Sequence, residues 1–144
     1  DLTKDNPTQV KEWIPTGSRW LDSIICRGQL AGIPSGKIIE IAGLEGSGKS
    51  YMAAQIAGNA QRMGIDVVYF DSESAIDPDF LANAGCDIDN ILYLQPSSVE
   101  YVLETIEELL GSNENKMLFI WDSLALTPAV SESRQEFLPK VCQN

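Results

Sequence analysis

The densest chemistry in the chain lies in eight consecutive residues, Gly43-Leu44-Glu45-Gly46-Ser47-Gly48-Lys49-Ser50. They fit the pattern GxxxxGK[ST], which lets a backbone curl around phosphate. Glycines allow successive N–H groups to point inward at phosphate oxygens, aided by the positive end of the helix that follows. Lys49 adds a point charge for the β- and γ-phosphates, and the Ser50 hydroxyl can sit on Mg²⁺. The alternative is a Gly-rich turn that matches by accident. The apolar KIIEIA run before it and the helical pattern after it supply the strand–loop–helix context that the nucleotide reading requires.

Carboxylates must complete such a site. Asp122 ends the apolar run Met117–Trp121, where the strands of a parallel sheet face their ligand, and there it can hold the metal through its water shell. Otherwise it is a strand-end carboxylate that begins the next turn. Ser123 follows it, so a water-activating glutamate is not found at that position. Glu73, two residues past Asp71, is the candidate general base. On strand parity Asp71 and Glu73 point the same way. The alternative for either is a solvated loop charge, the reading that also suits Asp79 and Asp87.

These residues need a scaffold, and the sequence alternates as one would. A turn at Thr16-Gly17-Ser18 can cap a short helix from Arg19 to about Cys26, and Gly28, Gly32, Pro34 and Gly36 then make a loop. Lys37–Ala42 reads as a strand, and Lys49–Met63 as a helix stopped by Gly64. Asp66–Asp71 reads as a second strand, and Pro78–Ala84 as a short helix closed by Gly85. Ile91–Gln95 is a third, weaker strand. A helix with Ser97 and Glu100 at capping-box spacing runs to Leu110 and ends at Gly111, and Lys116–Asp122 is a fourth strand. Such alternation predicts an α/β fold, a parallel sheet flanked by helices on both faces.

Composition bounds the rest. The 144 residues suit one domain, and 44% hydrophobic with 22% charged content is that of a globular chain. With no histidine, a Ser-His-Asp triad and a His general base are excluded, and scattered Cys26, Cys86 and Cys142 make neither a zinc site nor a disulfide framework. A reducing cytoplasm fits. No apolar run approaches the roughly 18–20 residues of a membrane span, so no membrane partner is expected, and no secretory signal pattern opens the chain. Starting at Asp1, the chain reads as having lost something in front. Ten Lys and Arg against 21 Asp and Glu give a net charge of −11, which weighs against DNA binding by this piece alone. Trp13 and Trp20 read as core or interface anchors, and the acidic face over Glu100–Glu108 as facing water.

Taken together, the blocks IPTGSRWLD, GKIIEIAGLEGSGKS, YFDSESAIDP, GCDIDNILYLQP and LFIWDSLAL resemble successive blocks of the RecA-type recombinases, with the nearest likeness to the phage UvsX-like branch. The resemblance runs from about Trp13 to Pro128. It implies a RecA-like P-loop NTPase core: residues 1–12 a tail or remnant, 13–130 the nucleotide-binding half, and 131–144 an unmatched tail. It also implies an ATP- and Mg²⁺-dependent, DNA-stimulated ATPase of homologous recombination and repair. Such a protein forms a homo-oligomeric filament on single-stranded DNA and exchanges strands with homologous duplex DNA, in the cytoplasm, or a host's cytoplasm if phage-encoded.

Carried over by position, Glu73 falls on the family's catalytic glutamate and Asp122 on its metal-holding aspartate. Asp77 and Phe80 fall on adenine-side positions, where RecA members carry Tyr in place of Phe80. Departures accompany the match. Both DNA-binding loops, the strand that inserts between the Lys37–Ala42 and Met117–Trp121 strands, and much of the N-terminal polymerisation element are missing, so the core is expected to be incomplete. Strand edges left unpaired predict weak stability or aggregation of this chain alone. Two alternatives stay open: another RecA-fold motor such as a hexameric helicase, and a non-catalytic ATP-binding fragment.

Overall fold

The computed structural model describes residues 10, 12–19, 22, 32–35, 48–73 and 76–122. The expected Lys37–Ala42 strand, residues Gly43–Ser47 of the Gly-rich loop, most of the expected Arg19–Cys26 helix, and everything after Asp122 lie outside them.

Among the described residues the chain begins with a two-residue antiparallel ladder, β1 (Trp13–Ile14) on β2 (Ile33–Pro34). The loop expected around Gly32 and Pro34 is thus partly paired. Helix α1 (Lys49–Arg62) leads into strand β3 (Asp66–Asp71), short helix α2 (Pro78–Asn83) and a 3₁₀ turn at Ile88–Asn90. Strand β4 (Ile91–Leu94), helix α3 (Val99–Ser112) and strand β5 (Met117–Asp122) complete the described order.

The sheet formed by β3, β4 and β5 is parallel, in the order β4-β3-β5. The register pairs Tyr69 with Tyr93 and with Ile120, and Asp71 with Asp122. Strand β3 is central because its apolar run DVVYFD can be buried on both faces, as a covered parallel strand requires. Its side chains divide strictly by parity. Val67 and Tyr69 pack with Ala54, Ala57 and Ala60 of α1 and Leu81 of α2. Val68 and Phe70 pack on the opposite face with Val102 of α3, together with Phe119 and Trp121 of β5. The fold is therefore a three-layer α/β arrangement, as expected.

Small residues set the depth of α1. Ala54, Ala57, Gly58 and Ala60 are buried, so the helix lies close to the sheet and to the end of α2. Gly64 ends it with φ of 78°, a conformation open to residues without a Cβ. Arg62 in the last turn donates to the Gly85 carbonyl at 3.1 Å and ties α1 to the turn after α2.

Both ends of helix α3 differ from expectation, whereas the other elements expected among the described residues lie within one residue of their expected bounds. Helix α3 is capped by Ser98, not Ser97: the Ser98 hydroxyl accepts the Tyr101 N–H at 3.1 Å. That shift puts Tyr101 rather than Glu100 three residues past the cap. The helix also continues through Gly111 to Ser112, because one Gly in a final turn costs only about 1 kcal/mol. Earlier in the chain, Asp22 accepts both the backbone N–H (3.0 Å) and the hydroxyl of Thr16, and the Asp22 N–H donates to the Ser18 carbonyl at 2.9 Å. These bonds make the turn expected at Thr16–Ser18. Among the described residues no helix is long and apolar enough to cross a membrane.

Candidate functional site

Sheet parity brings the site together. Asp122 continues the Leu118, Ile120 alternation of β5, so its side chain leaves the sheet on the α1 face. Lys49 and Ser50 open α1 on that same face. The Ser50 hydroxyl donates to Asp122 Oδ2 at 2.8 Å, a bond that closes 72 residues of sequence. Among the described residues the α1 N-terminus has no side-chain cap, its first turn holds no acidic residue, and Gly48 precedes it with φ of 86°. The first turn of a helix leaves N–H groups without helical partners and presents the positive end of the helix dipole. A hydroxyl and a carboxylate are hard oxygen donors that suit Mg²⁺, which takes few protein ligands and keeps water and phosphate for the rest. The residues present therefore fit a Mg²⁺-nucleotide. Among the described residues no group of three or more His, Cys, Asp or Glu side chains forms a protein cage for a metal.

The second carboxylate, Asp71, is only 2% exposed. Its Oδ1 accepts the Glu73 N–H at 3.1 Å, and its Oδ2 accepts the Ile76 N–H at 3.1 Å and the Tyr93 hydroxyl. Asp71 thereby turns the chain as β3 ends. Glu73 lies in the resulting bend, exposed, so strand parity no longer sets its direction. It stands two residues beyond Asp71, the register partner of Asp122.

Asp77 is the N-cap of α2, and its Oδ1 accepts the Asp79 N–H at 2.9 Å. Phe80 is half-buried, and its ring meets Tyr51 of α1 edge-on at a centroid distance of 6.0 Å. Tyr51 is exposed, so the pair presents an aromatic edge beside the start of α1. Of the loop Gly43–Ser50, Gly48, Lys49 and Ser50 are described, and Gly43, Leu44, Glu45, Gly46 and Ser47 are not.

Sequence reading missed Tyr69, whose hydroxyl donates to Asp122 Oδ2 at 2.9 Å, and the holding roles of Asp71 and Tyr93. Burial first, and then the Asp122 charge, hold the Tyr69 phenol far above its ordinary range. Burial and the hydrogen bond to Asp71 push Tyr93 up in the same way. Both phenols are thus donors at neutral pH. The signal for Tyr69 was its parity with Asp71 on β3, which placed it on the carboxylate face.

A parallel α/β core in which a strand-end aspartate meets the serine of a Gly-Lys-Ser helix start is consistent with a partial RecA-like core. The sequence matches the RecA N-terminal domain over residues 1–136, and the chain belongs to that family. It is 36% identical to Protein RecA of Streptomyces avermitilis over 124 residues, covering 86% of this chain and 32% of that protein. Protein RecA of Bifidobacterium breve is 39% identical, over 86% of this chain and 31% of its own length. That of Heliobacterium modesticaldum is 42% identical, over 81% of this chain and 33% of its own length. The chain thus spans about a third of the length of the curated relatives it matches. The nearer likeness to the phage UvsX-like branch has no counterpart among these bacterial relatives.

Proposed function

We propose that this chain is the ATP-binding part of a DNA-dependent recombinase, with residues 13–130 as its nucleotide core. The observation that carries the reading is the 2.8 Å bond between Ser50 and Asp122 at the start of the Lys49–Arg62 helix. In this reading the backbone of Gly43, Leu44, Glu45, Gly46, Ser47 and Gly48 wraps the phosphates, and Lys49 pairs with the β- and γ-phosphates. Ser50 and Asp122 hold Mg²⁺, which when bound neutralises charge that develops on the phosphate oxygens. Glu73 orients the attacking water and accepts its proton at the carboxylate. Asp77 and Phe80 lie on the adenine side, where the Phe80–Tyr51 edge offers an apolar surface to a purine face.

Relatives named RecA support a whole protein that forms a homo-oligomeric filament on single-stranded DNA and exchanges strands with homologous duplex, in the cytoplasm. DNA contact then falls to segments other than this acidic piece, whose net charge is −11. The phage-branch likeness rests on the residue blocks alone, and the relatives favour a bacterial RecA.

The test is Mg-ATP turnover by the chain, with and without single-stranded DNA. Turnover that DNA stimulates and Glu73→Gln abolishes is the expected result. ATP binding without turnover in either condition supports instead a non-catalytic ATP-binding piece.

A further inference from the structure

Two sheet tyrosines carry polar tips that hydrophobic packing does not need. Tyr69 of β3 and Tyr93 of β4 are register partners, with rings stacked at a centroid distance of 6.4 Å and 26° between their planes. Each hydroxyl reaches across to a carboxylate on the next strand. Tyr69, fully buried, donates from β3 to Asp122 of β5 at 2.9 Å. Tyr93, half-buried, donates from β4 to Asp71 of β3.

The acceptors decide what these bonds do. The terminal torsion of an aspartate is soft and roughly two-fold, so a lone strand-end carboxylate can rotate. Ser50 and Tyr69 both donate to Asp122 Oδ2, and two donors converging on one oxygen fix the plane of the group. Asp71 carries the Glu73 turn through two backbone N–H groups, and Tyr93 shares its Oδ2 with Ile76. Phenylalanine would fill the same volumes without either bond.

We propose that Tyr69 and Tyr93 are positioning residues: a stacked pair in which Tyr69 sets the Asp122 carboxylate against Ser50 and Tyr93 holds Asp71 beneath the Glu73 turn. This rests on the Mg-ATP reading above and deepens it. Tyr69 acts on the metal-dependent part of nucleotide affinity, and Tyr93 on the order of the loop that presents Glu73.

The test uses a fluorescent ATP analogue bound to the chain while MgCl₂ is titrated. Tyr69→Phe raises the half-saturating Mg²⁺ about fivefold, the worth of one net hydrogen bond, and leaves analogue binding in EDTA unchanged. Tyr101→Phe, on the exposed face of α3, leaves the titration unchanged. In a second arm, amide exchange at Glu73 and Ile76 accelerates about fivefold in Tyr93→Phe and not in Tyr69→Phe. A parent that binds in a Mg²⁺-dependent way, with an unshifted Tyr69→Phe, overturns the Tyr69 assignment and leaves the ATP reading intact. A parent with no Mg²⁺-dependent binding overturns the ATP reading itself. Unchanged exchange in Tyr93→Phe overturns the Tyr93 assignment in either case, including one where Tyr69→Phe fails to fold.

Discussion

Replacing Gly58 with alanine probes the seam that seats α1. A Cβ at Gly58 would lie 2.5 Å from the Gly85 carbonyl oxygen and 2.8 Å from its carbon. Ordinary contact begins near 3.4 Å, so the helix and the turn must part by nearly 1 Å. The obstacle is backbone, already bound to the Arg62 guanidinium, and cannot swing aside as a side chain could. Overpacking of this kind costs about 1–3 kcal/mol, against about 1 kcal/mol gained by alanine in a helix. Strain on the neighbouring bond from the Cys86 thiol to the Ala54 carbonyl, 2.8 Å long, adds to the loss. The expected net destabilisation is about 1–2 kcal/mol, or a melting point lower by about 3–8 °C. Gly111→Ala is the control. Its Cβ meets nothing within 4 Å near the end of α3, and it is expected to stabilise by about 0.5 kcal/mol. Urea unfolding followed by circular dichroism at 222 nm reads both variants. A Gly58→Ala protein as stable as its parent, or a shift of the same sign in both variants, refutes the close-packing argument. The same displacement moves Ser50 away from Asp122, so Mg²⁺-dependent nucleotide binding weakens together with stability.

Other expectations follow from single bonds. Asp71→Asn keeps one carbonyl acceptor where a carboxylate served Glu73, Ile76 and Tyr93, and is expected to cost about 1–3 kcal/mol in urea unfolding. Ser98→Ala removes the α3 cap and should cost about 1 kcal/mol, while Ser97→Ala should change stability by less than about 0.5 kcal/mol; reversed sizes would return the cap to Ser97. The raised Tyr69 and Tyr93 phenols favour the protonated folded form, so their stabilisation is full below about pH 10 and lost as pH rises beyond it. The urea midpoint should therefore fall above about pH 10, less steeply in Tyr69→Phe than in the parent.

The strands Asp66–Asp71 and Met117–Asp122 were legible because continuous apolar runs of that length suit buried parallel strands, and each lies within a residue of its expected bounds. Helix α1 was legible from the helical pattern after the Gly-rich loop and from Gly64. The two-residue β1–β2 ladder was not, since two residues have no period to read. The α3 cap was misplaced because adjacent serines offer equivalent hydroxyls, and only the folded backbone decides which one meets a free N–H. Strand parity misdescribed Glu73 for a related reason. Asp71 captures the Glu73 and Ile76 N–H groups as the strand ends, so the alternation stops at Asp71, two residues short of Glu73. Tyr69 and Tyr93 were not singled out in the sequence, because the acceptor of a tyrosine hydroxyl depends on strand register as well as on its own strand.

In the proposed function, Gly43–Ser50 and Asp122 form a Mg²⁺-nucleotide site. Equilibrium binding of Mg-ATP to this chain, compared with Lys49→Ala, tests it most directly. Saturable binding by the parent is expected, weakened by EDTA and reduced at least tenfold, about 1.4 kcal/mol or more, in Lys49→Ala. Equal ATP affinity in parent and Lys49→Ala, or no binding by a folded parent, would contradict the proposed site.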